Sequence, residues 1–329
     1  MRTYLQLYKS GELKKRALLL MERLESCDIC PRKCEANRFK GKHGFCRSGN
    51  LTSVSSFCDH HGEEPVLSGT RGSGTIFFSN CNMKCIFCQN YQISQGENTS
   101  AREISTSDLA HIMLYLQNNL GCHNINLVSP THYVPQIIYA LTEAIPEGLH
   151  VPLVYNTNAY DSLETLKMLD GIIDIYLPDI KYASNVWAEK FSKASNYVDI
   201  SRAAIVEMCR QTGNLVIDEN GLAEKGLIVR HLILPNEIAG SKDSLKWLAE
   251  NVSKNVAISL MAQYYPAHRA YNEPLLARKI SQKEYNEVVS LMDNLGLENG
   301  WIQTLDAAEF YRPDFDILDH PFEKRRSEL

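Results

Sequence analysis

The sequence lacks any uninterrupted apolar run approaching the roughly 18 residues of a membrane-spanning helix, so a spanning protein is not expected. Its first residues, MRTYLQLYKSGELKKRA, carry no apolar stretch followed by small residues, which removes a secretory leader from the reading. The expectation is a cytoplasmic protein. Internal repeats and low-complexity tracts are also missing, which excludes a solenoid or a largely disordered chain. Excess charge is small: a net −5 argues against a generic nucleic-acid binder while leaving room for a local basic site. With 44% hydrophobic residues among 329, the chain can bury a sizeable core in one large domain or two smaller ones.

Cysteine, by contrast, is plentiful. There are ten, in a setting where structural disulfides are rare. Seven fall into two short clusters, Cys27, Cys30, Cys34 and Cys46, then Cys81, Cys85 and Cys88, and such spacing points to metal rather than to disulfides. Cys122 and Cys209 read as small buried hydrophobes.

From about residue 72 the chain alternates short β-rich runs with amphipathic helical patterns. The runs are TIFF (75–78), INLV (125–128), LVY (153–155), IIDIYL (172–177), LIVRHLIL (227–234), VAISL (256–260) and WIQT (301–304). Between them, Leu109, Ile112, Met113 and Leu116 share one helix face, and Tyr285, Val288, Val289 and Met292 another. Asp161 with Glu164, and Ser281 with Glu284, have the spacing of capping boxes. Continuous apolar strands separated by helices imply parallel strands covered on the outside. The expected fold class is therefore α/β, a partial (β/α) TIM-type barrel over 72–304. A helix and cysteine-rich segment (1–71) precedes it, and a C-terminal extension (305–329) follows. In such barrels the chemistry sits in the loops at the C-terminal strand ends.

The segment GSGTIFFSNCNMKCIFCQN (72–90) places CxxxCxxC directly after the first strand of that series. Three thiolates at this spacing can hold a four-iron cluster and leave one iron open to chelate a substrate. Two other readings use the same residues: zinc completed by a distant ligand, and an ordinary electron-transfer cluster.

This loop, with Phe87 just before the third cysteine, resembles the radical S-adenosylmethionine (radical SAM) superfamily. Together with SPTHYVP (129–135) and LPDIKY (177–182), the stretch EEPVLSGTRGSGTIFFSNCNMKCIFCQNYQIS (63–94) is similar to the pyruvate formate-lyase-activating-enzyme group, over residues from about 27 to about 290. The resemblance implies a [4Fe–4S] cluster on Cys81, Cys85 and Cys88, with SAM on its open iron. It also implies reductive cleavage of SAM to a 5′-deoxyadenosyl radical, and a one-electron reductant such as flavodoxin or ferredoxin. The implied substrate is a glycyl radical enzyme. Modification of a peptide, a small molecule or RNA is the alternative, and a non-enzymatic iron–sulfur or zinc protein is a further one.

Residue by residue, Ser129, Thr131 and His132 occupy the place of the family's GGEP-like loop and become cofactor-binding candidates. YNTNAY (155–160) resembles the activases' DTNG segment, with Asn156 for the acid, Asn158 retained and Ala159 for the glycine. Asp179 and Lys181 match the activases' DxK pattern and are catalytic candidates. Arg230, in VRHLILP, is expected to grip the SAM carboxylate bidentately. Gln263, Tyr264 and His268 are weaker candidates at the next strand end.

The N-terminal CDICPRKCEANRFKGKHGFC suits a second metal site on Cys27, Cys30, Cys34 and Cys46, zinc or an auxiliary iron–sulfur cluster. Its Arg32, Lys33 and Arg38 read by default as part of a solvated charged face. FCDHHGEEP (57–65) is expected to cap the barrel mouth, with Cys58 as a hydrogen donor or ligand.

Overall fold

The computed structural model describes residues 2–95, 101–307, 312–315 and 320–322. The chain opens with helices α1 (Thr3–Lys9) and α2 (Glu12–Glu22), then an irregular cysteine-bearing segment. Strands follow as β1 (Thr52–His60), β2 (Ser73–Phe78), β3 (Arg102–Ile104), β4 (Ile125–Val128), β5 (Leu153–Thr157), β6 (Ile175–Pro178), β7 (Val216–Ile217), β8 (Ala223–Leu232), β9 (Ala257–Met261) and β10 (Gly300–Ile302). The intervening helices are α3 (Pro65–Ser68), α4 (Tyr91–Ser94), α5 (Thr106–Asn118), α6 (Val134–Ala144), α7 (Leu163–Met168), α8 (Asn185–Ser192), α9 (Tyr197–Thr212), α10 (Ser241–Asn251) and α11 (Gln282–Leu295).

The sheet runs β10-β9-β8-β6-β5-β4-β2-β1-β3, parallel from β2 to β10, with β1 antiparallel on β2 and β3 antiparallel on β1. No pairing joins β10 to the β3 edge among the described residues, so the barrel is partial and unclosed. The expected fold class is what forms, and α/β alternation explains why. Each apolar strand has two buried faces, one for the outer helices and one for the interior. Leu127, Tyr155, Tyr176, Val229 and Ile258 point outward into the main core. Val154, Ile175, Leu177, Ile228 and Ala257 point inward and gather around Leu67 of α3. That short helix plugs the N-terminal end of the interior, held by a 2.8 Å bond from Asn124 Nδ2 to the Leu67 carbonyl.

Two expectations change here. Residues 52–60 are a strand of the main sheet, so the sheet draws on both sides of the 71/72 boundary. Asp161 and Glu164 form no capping box: Ser162 caps α7, and Asp161 turns inward. Ser281 and Glu284 do form theirs. The expected extension 305–329 lies largely outside the described residues. Among those described, no helix is long and apolar enough to cross a membrane.

Candidate functional site

The cysteine loop leaves the C-terminal end of β2 and is fixed from three sides. Backbone N–H groups of Lys84 and Ile86 donate to the carbonyls of Ser192 and Phe191, at 2.9 and 2.8 Å. These are terminal carbonyls of α8, which lack partners within the helix. Asn82 donates from Nδ2 to the Tyr160 carbonyl (2.7 Å) and accepts from Asn158 Nδ2 (2.9 Å). From the N-terminal segment, Arg32 Nε donates to the Asn82 carbonyl at 2.9 Å while its guanidinium stacks over Phe45, 3.6 Å from the ring centre.

So held, Cys81, Cys85 and Cys88 line one cavity of about 300 Å³, together with Ser129, Asn156, Asn158, Asp179, Lys181 and Arg230. That volume is at the lower end for small-molecule sites. None of the three cysteines is in a disulfide. Each sulfur has a polar neighbour: Asn158 Nδ2 and the Met83 N–H, both 3.4 Å from Cys81, Ser192 Oγ 3.0 Å from Cys85, and Ser94 Oγ 3.2 Å from Cys88. Burial pushes all three thiols upward, Cys85 to about 11 although the Lys181 ammonium opposes the shift. Such thiols keep their protons until a metal displaces them. The donor set, three half-buried thiols facing a shared space, fits a cluster held by three cysteines.

Opposite the thiols lies a charged wall. Lys181 Nζ meets Asp179 Oδ2 at 2.6 Å, a pair inside the cavity rather than on the surface. Arg230 is gripped by the chain's own acids: Nε and one terminal nitrogen reach the two Glu64 oxygens at 2.8 and 3.0 Å, and Glu63 shares that nitrogen. The expectation that Arg230 is free to hold a SAM carboxylate is therefore corrected. Its bidentate fork is filled by Glu64, from the turn before α3. Burial drives the Glu63 carboxyl upward, whereas the Arg230 charge and hydrogen bonds hold Glu64 below the usual range.

Several candidates lie elsewhere. Thr131 is buried behind the cavity, donating to Asp161 at 2.8 Å, and Thr157 Oγ1 (2.6 Å) and Tyr155 OH (2.9 Å) donate to the same carboxyl. His132 does not line the cavity either: its Nε2 bonds the Ser79 carbonyl (3.0 Å), and burial pushes its pKa down to about 3. Both are buried under the loop, outside the cavity lining where they were expected. Cys58 does not itself line the cavity; it is buried on β1 behind Phe77, Ile93 and Val128, which do, whereas His60, Gly62, Glu63 and Glu64 of the same FCDHHGEEP stretch reach the cavity as expected. Of the weaker candidates, Gln263 lines the cavity, while Tyr264 donates to the Leu276 carbonyl and His268 stacks on Tyr91. Two loop positions where the activases have glycine or a glycine-rich turn keep a left-handed backbone, Ser129 at φ 56° and Ala159 at φ 59°.

The N-terminal cysteines gather beside this loop. Cys27, Cys30, Cys34 and Cys46 are close enough to shift one another's protonation, and burial pushes Cys30 to about 12. Arg38, expected on a solvated face, is buried instead, donating to the His132 carbonyl at 2.7 Å and toward Cys46 Sγ at 3.4 Å. Gly44 lets the loop pass over Cys34: a Cβ there would stand 2.8 Å from the sulfur. Half-buried Lys84 feels the charges of both Cys81 and Cys46, so it lies between the two sets. Among the described residues, no three His, Cys, Asp or Glu side chains converge as ligands of a single ion, so the zinc expectation finds no preformed single-ion arrangement.

Sequence reasoning missed Glu63 and Glu64 as partners of Arg230, and missed Ser192 and Asn158 as neighbours of the sulfurs. Only the paired acids in EEP gave a local signal.

Comparison with known proteins follows the same lines. The model of the Radical SAM superfamily matches residues 75–218. The chain is 30% identical over 282 residues to the uncharacterized protein MJ0674 of Methanocaldococcus jannaschii, covering 83% of this chain and 76% of that one. Among solved structures, a radical SAM methyltransferase from Sphaerobacter thermophilus aligns with TM-score 0.47 and 12% identity, over 76% of this chain and 69% of that one. Streptococcus suis SuiB bound to S-adenosylmethionine aligns with TM-score 0.46 and 14% identity, over 72% and 52%. On the family match and the shared sequence, this chain belongs to the radical SAM superfamily, whose members work with a [4Fe–4S] cluster and S-adenosylmethionine.

Proposed function

We propose that Cys81, Cys85 and Cys88 hold the [4Fe–4S] cluster and that the adjoining cavity receives SAM and the substrate. The observation that carries this reading is the convergence of three half-buried, unbridged thiols on a cavity shared with Ser129, Asn156, Asn158, Asp179 and Lys181. Held there, the cluster would supply the electron for reductive cleavage of the sulfur–carbon bond of SAM, the chemistry that yields a 5′-deoxyadenosyl radical able to take hydrogen from a substrate.

The chain's own residues do the positioning. Asn158 and Asn82 fix the loop bearing Cys81, and the α8 carbonyls fix the stretch around Cys85. Lys181 carries positive charge into the cavity, and Asp179 keeps that ammonium protonated. Ser129 and Asn156 present polar groups at neighbouring strand ends, joined by a 2.8 Å bond from the Ser129 N–H to the Asn156 carbonyl. The apolar plug of α3 closes the N-terminal end of the interior, which shields a reactive radical from water.

For the substrate, the activase reading assigns a glycine of a glycyl radical enzyme, with a flavodoxin- or ferredoxin-like protein as electron donor. It is supported by LPDIKY, whose Asp179 and Lys181 both face the cavity. The occupied Arg230 favours the second reading, a different peptide, small-molecule or RNA substrate, because the activases' carboxylate grip is not free here. Cys27, Cys30, Cys34 and Cys46 stand as a second metal-binding set, zinc or iron–sulfur.

The test is anaerobic reconstitution with iron and sulfide, then dithionite and SAM, with assay of 5′-deoxyadenosine. Product well above the Cys85→Ala background is expected. Equal product from Cys85→Ala would defeat the ligand assignment, and a reducible cluster with no product would leave an electron-transfer protein. Cys30→Ala should lower total metal while sparing SAM cleavage.

A further inference from the structure

The hydroxyl of Ser192 is the shortest polar contact made to any of the three loop thiols, 3.0 Å from Cys85 Sγ. It arrives there by construction. Ser192 ends α8, and its own carbonyl receives the Lys84 N–H, so the residue beside Cys85 is tied to the residue that contacts its sulfur. Behind it, the Tyr182 hydroxyl lies 2.6 Å from Ser192 Oγ, and both side chains are buried. A hydroxyl between two such neighbours can accept from one and donate to the other. Ser192 Oγ donates to Cys85 Sγ, so its proton is committed to sulfur and the Tyr182 hydroxyl is left to donate to the serine oxygen. A donor polarised in this way is stronger than a lone serine.

We propose that Ser192, backed by Tyr182, is a positioning residue that sets the reduction potential of the cluster through its hydrogen bond to the Cys85 sulfur. The proposal rests on the reading that Cys81, Cys85 and Cys88 hold that cluster. One-electron reduction adds negative charge, part of which falls on the ligand sulfurs. A donor aimed at sulfur stabilises that charge and makes the potential less negative, one of the recognised controls on cluster potential. Ser94 at Cys88 and Asn158 at Cys81 contribute in the same sense, but at 3.2 and 3.4 Å. Hydrogen bonds weaken with length, so Ser192 has the largest effect.

The experiment is an EPR-monitored redox titration of the reconstituted holoprotein, with iron and sulfide counted in the same samples. Cysteine-to-alanine exchange at Cys27, Cys30, Cys34 and Cys46 would remove any second-cluster signal. Ser192→Ala should keep its iron and its reduced-cluster signal while its midpoint moves to more negative potential. Tyr182→Phe should move it less in the same direction, and Ser192→Thr, which keeps the hydroxyl, should return it to the wild-type value. An unchanged midpoint in Ser192→Ala at full iron content would overturn the proposal. So would loss of iron from Ser192→Ala and Tyr182→Phe alike, which would make the pair purely structural. If Cys85→Ala retained the titrating signal, the ligand reading itself would fall, an outcome separable from the first because it does not involve Ser192.

Discussion

Removing the guanidinium of Arg230 strands two carboxylates inside the protein. Glu63 and Glu64 have side chains only 7% and 5% exposed, and Arg230 is the cation that both contact. Breaking a buried pair by deleting one partner costs about 3–5 kcal/mol, because the charge left behind is uncompensated. Arg230→Gln should therefore lose stability on that scale at pH 8. With a urea dependence of about 3 kcal/mol per molar, the unfolding midpoint falls by roughly 1 M or more. The deficit should depend on pH with a definite sign. Without Arg230 both carboxyls have folded-state pKa values above their unfolded ones. Such a group contributes stability that is fully present below the unfolded value and is lost as pH rises through the folded value. The gap between variant and wild type should accordingly narrow as pH falls from 8 toward 5. Glu63→Gln supplies the control. Burial already drives the Glu63 carboxyl upward, so the neutral isostere should match or exceed wild-type stability at pH 8. Urea unfolding followed by circular dichroism at pH 5, 6.5 and 8 measures all three proteins. A deficit for Arg230→Gln that is under about 0.3 kcal/mol, or that does not change with pH, would refute the argument.

Two further outcomes follow from the same structure. His60, His132 and His231 are buried neutral, with pKa values pushed by desolvation to about 3, 3 and 4. Their contribution is present above the unfolded value and lost as pH falls, by about 1.4 kcal/mol per pH unit for each, so His132→Gln should flatten the acid limb of stability by about one proton; an unchanged slope would contradict it. Ala159 sits at φ 59° with its side chain fully buried, a backbone costing an alanine about 1 kcal/mol, so Ala159→Gly should raise the thermal midpoint by a few degrees, and a fall would show that packing outweighs strain.

How much of this was legible beforehand follows from where each signal resides. The parallel strands and the long helices are written in local periodicity, so TIFF, INLV and LVY became β2, β4 and the start of β5, and Ser281 capped α11 as its spacing implied. The cysteine loop was legible for the same reason, since its ligands are three and two residues apart. β1 was not, because its FCDHH reads as reactive chemistry while its pairing to β2 is set by a register no local window contains. Arg230 looked available because its partners are 166 and 167 residues away. The same distance effect concealed Asp161, whose one-residue offset from Ser162 mimics a cap while its carboxyl gathers hydroxyls from two neighbouring strand ends. Ser192 gave no signal at all, since a serine at a helix end is ordinary until Cys85 is brought beside it.

The unclosed sheet bears on what can reach the thiols. A ring of strands joined all round has an aperture fixed by its hydrogen bonds, and anything entering must fit through the end. Here the β10 edge and the β1–β3 edge are not stitched together among the described residues, so the wall has a seam. Its width is governed by side chains, which move far more cheaply than a ladder of backbone bonds. Pro313 and Phe322 line the cavity from the far end of the chain, and Phe322 stacks on His60 of β1 with ring centres 4.1 Å apart. At this place the cavity wall is made by side-chain contacts, and it can change shape without breaking the backbone ladder behind the cysteine loop.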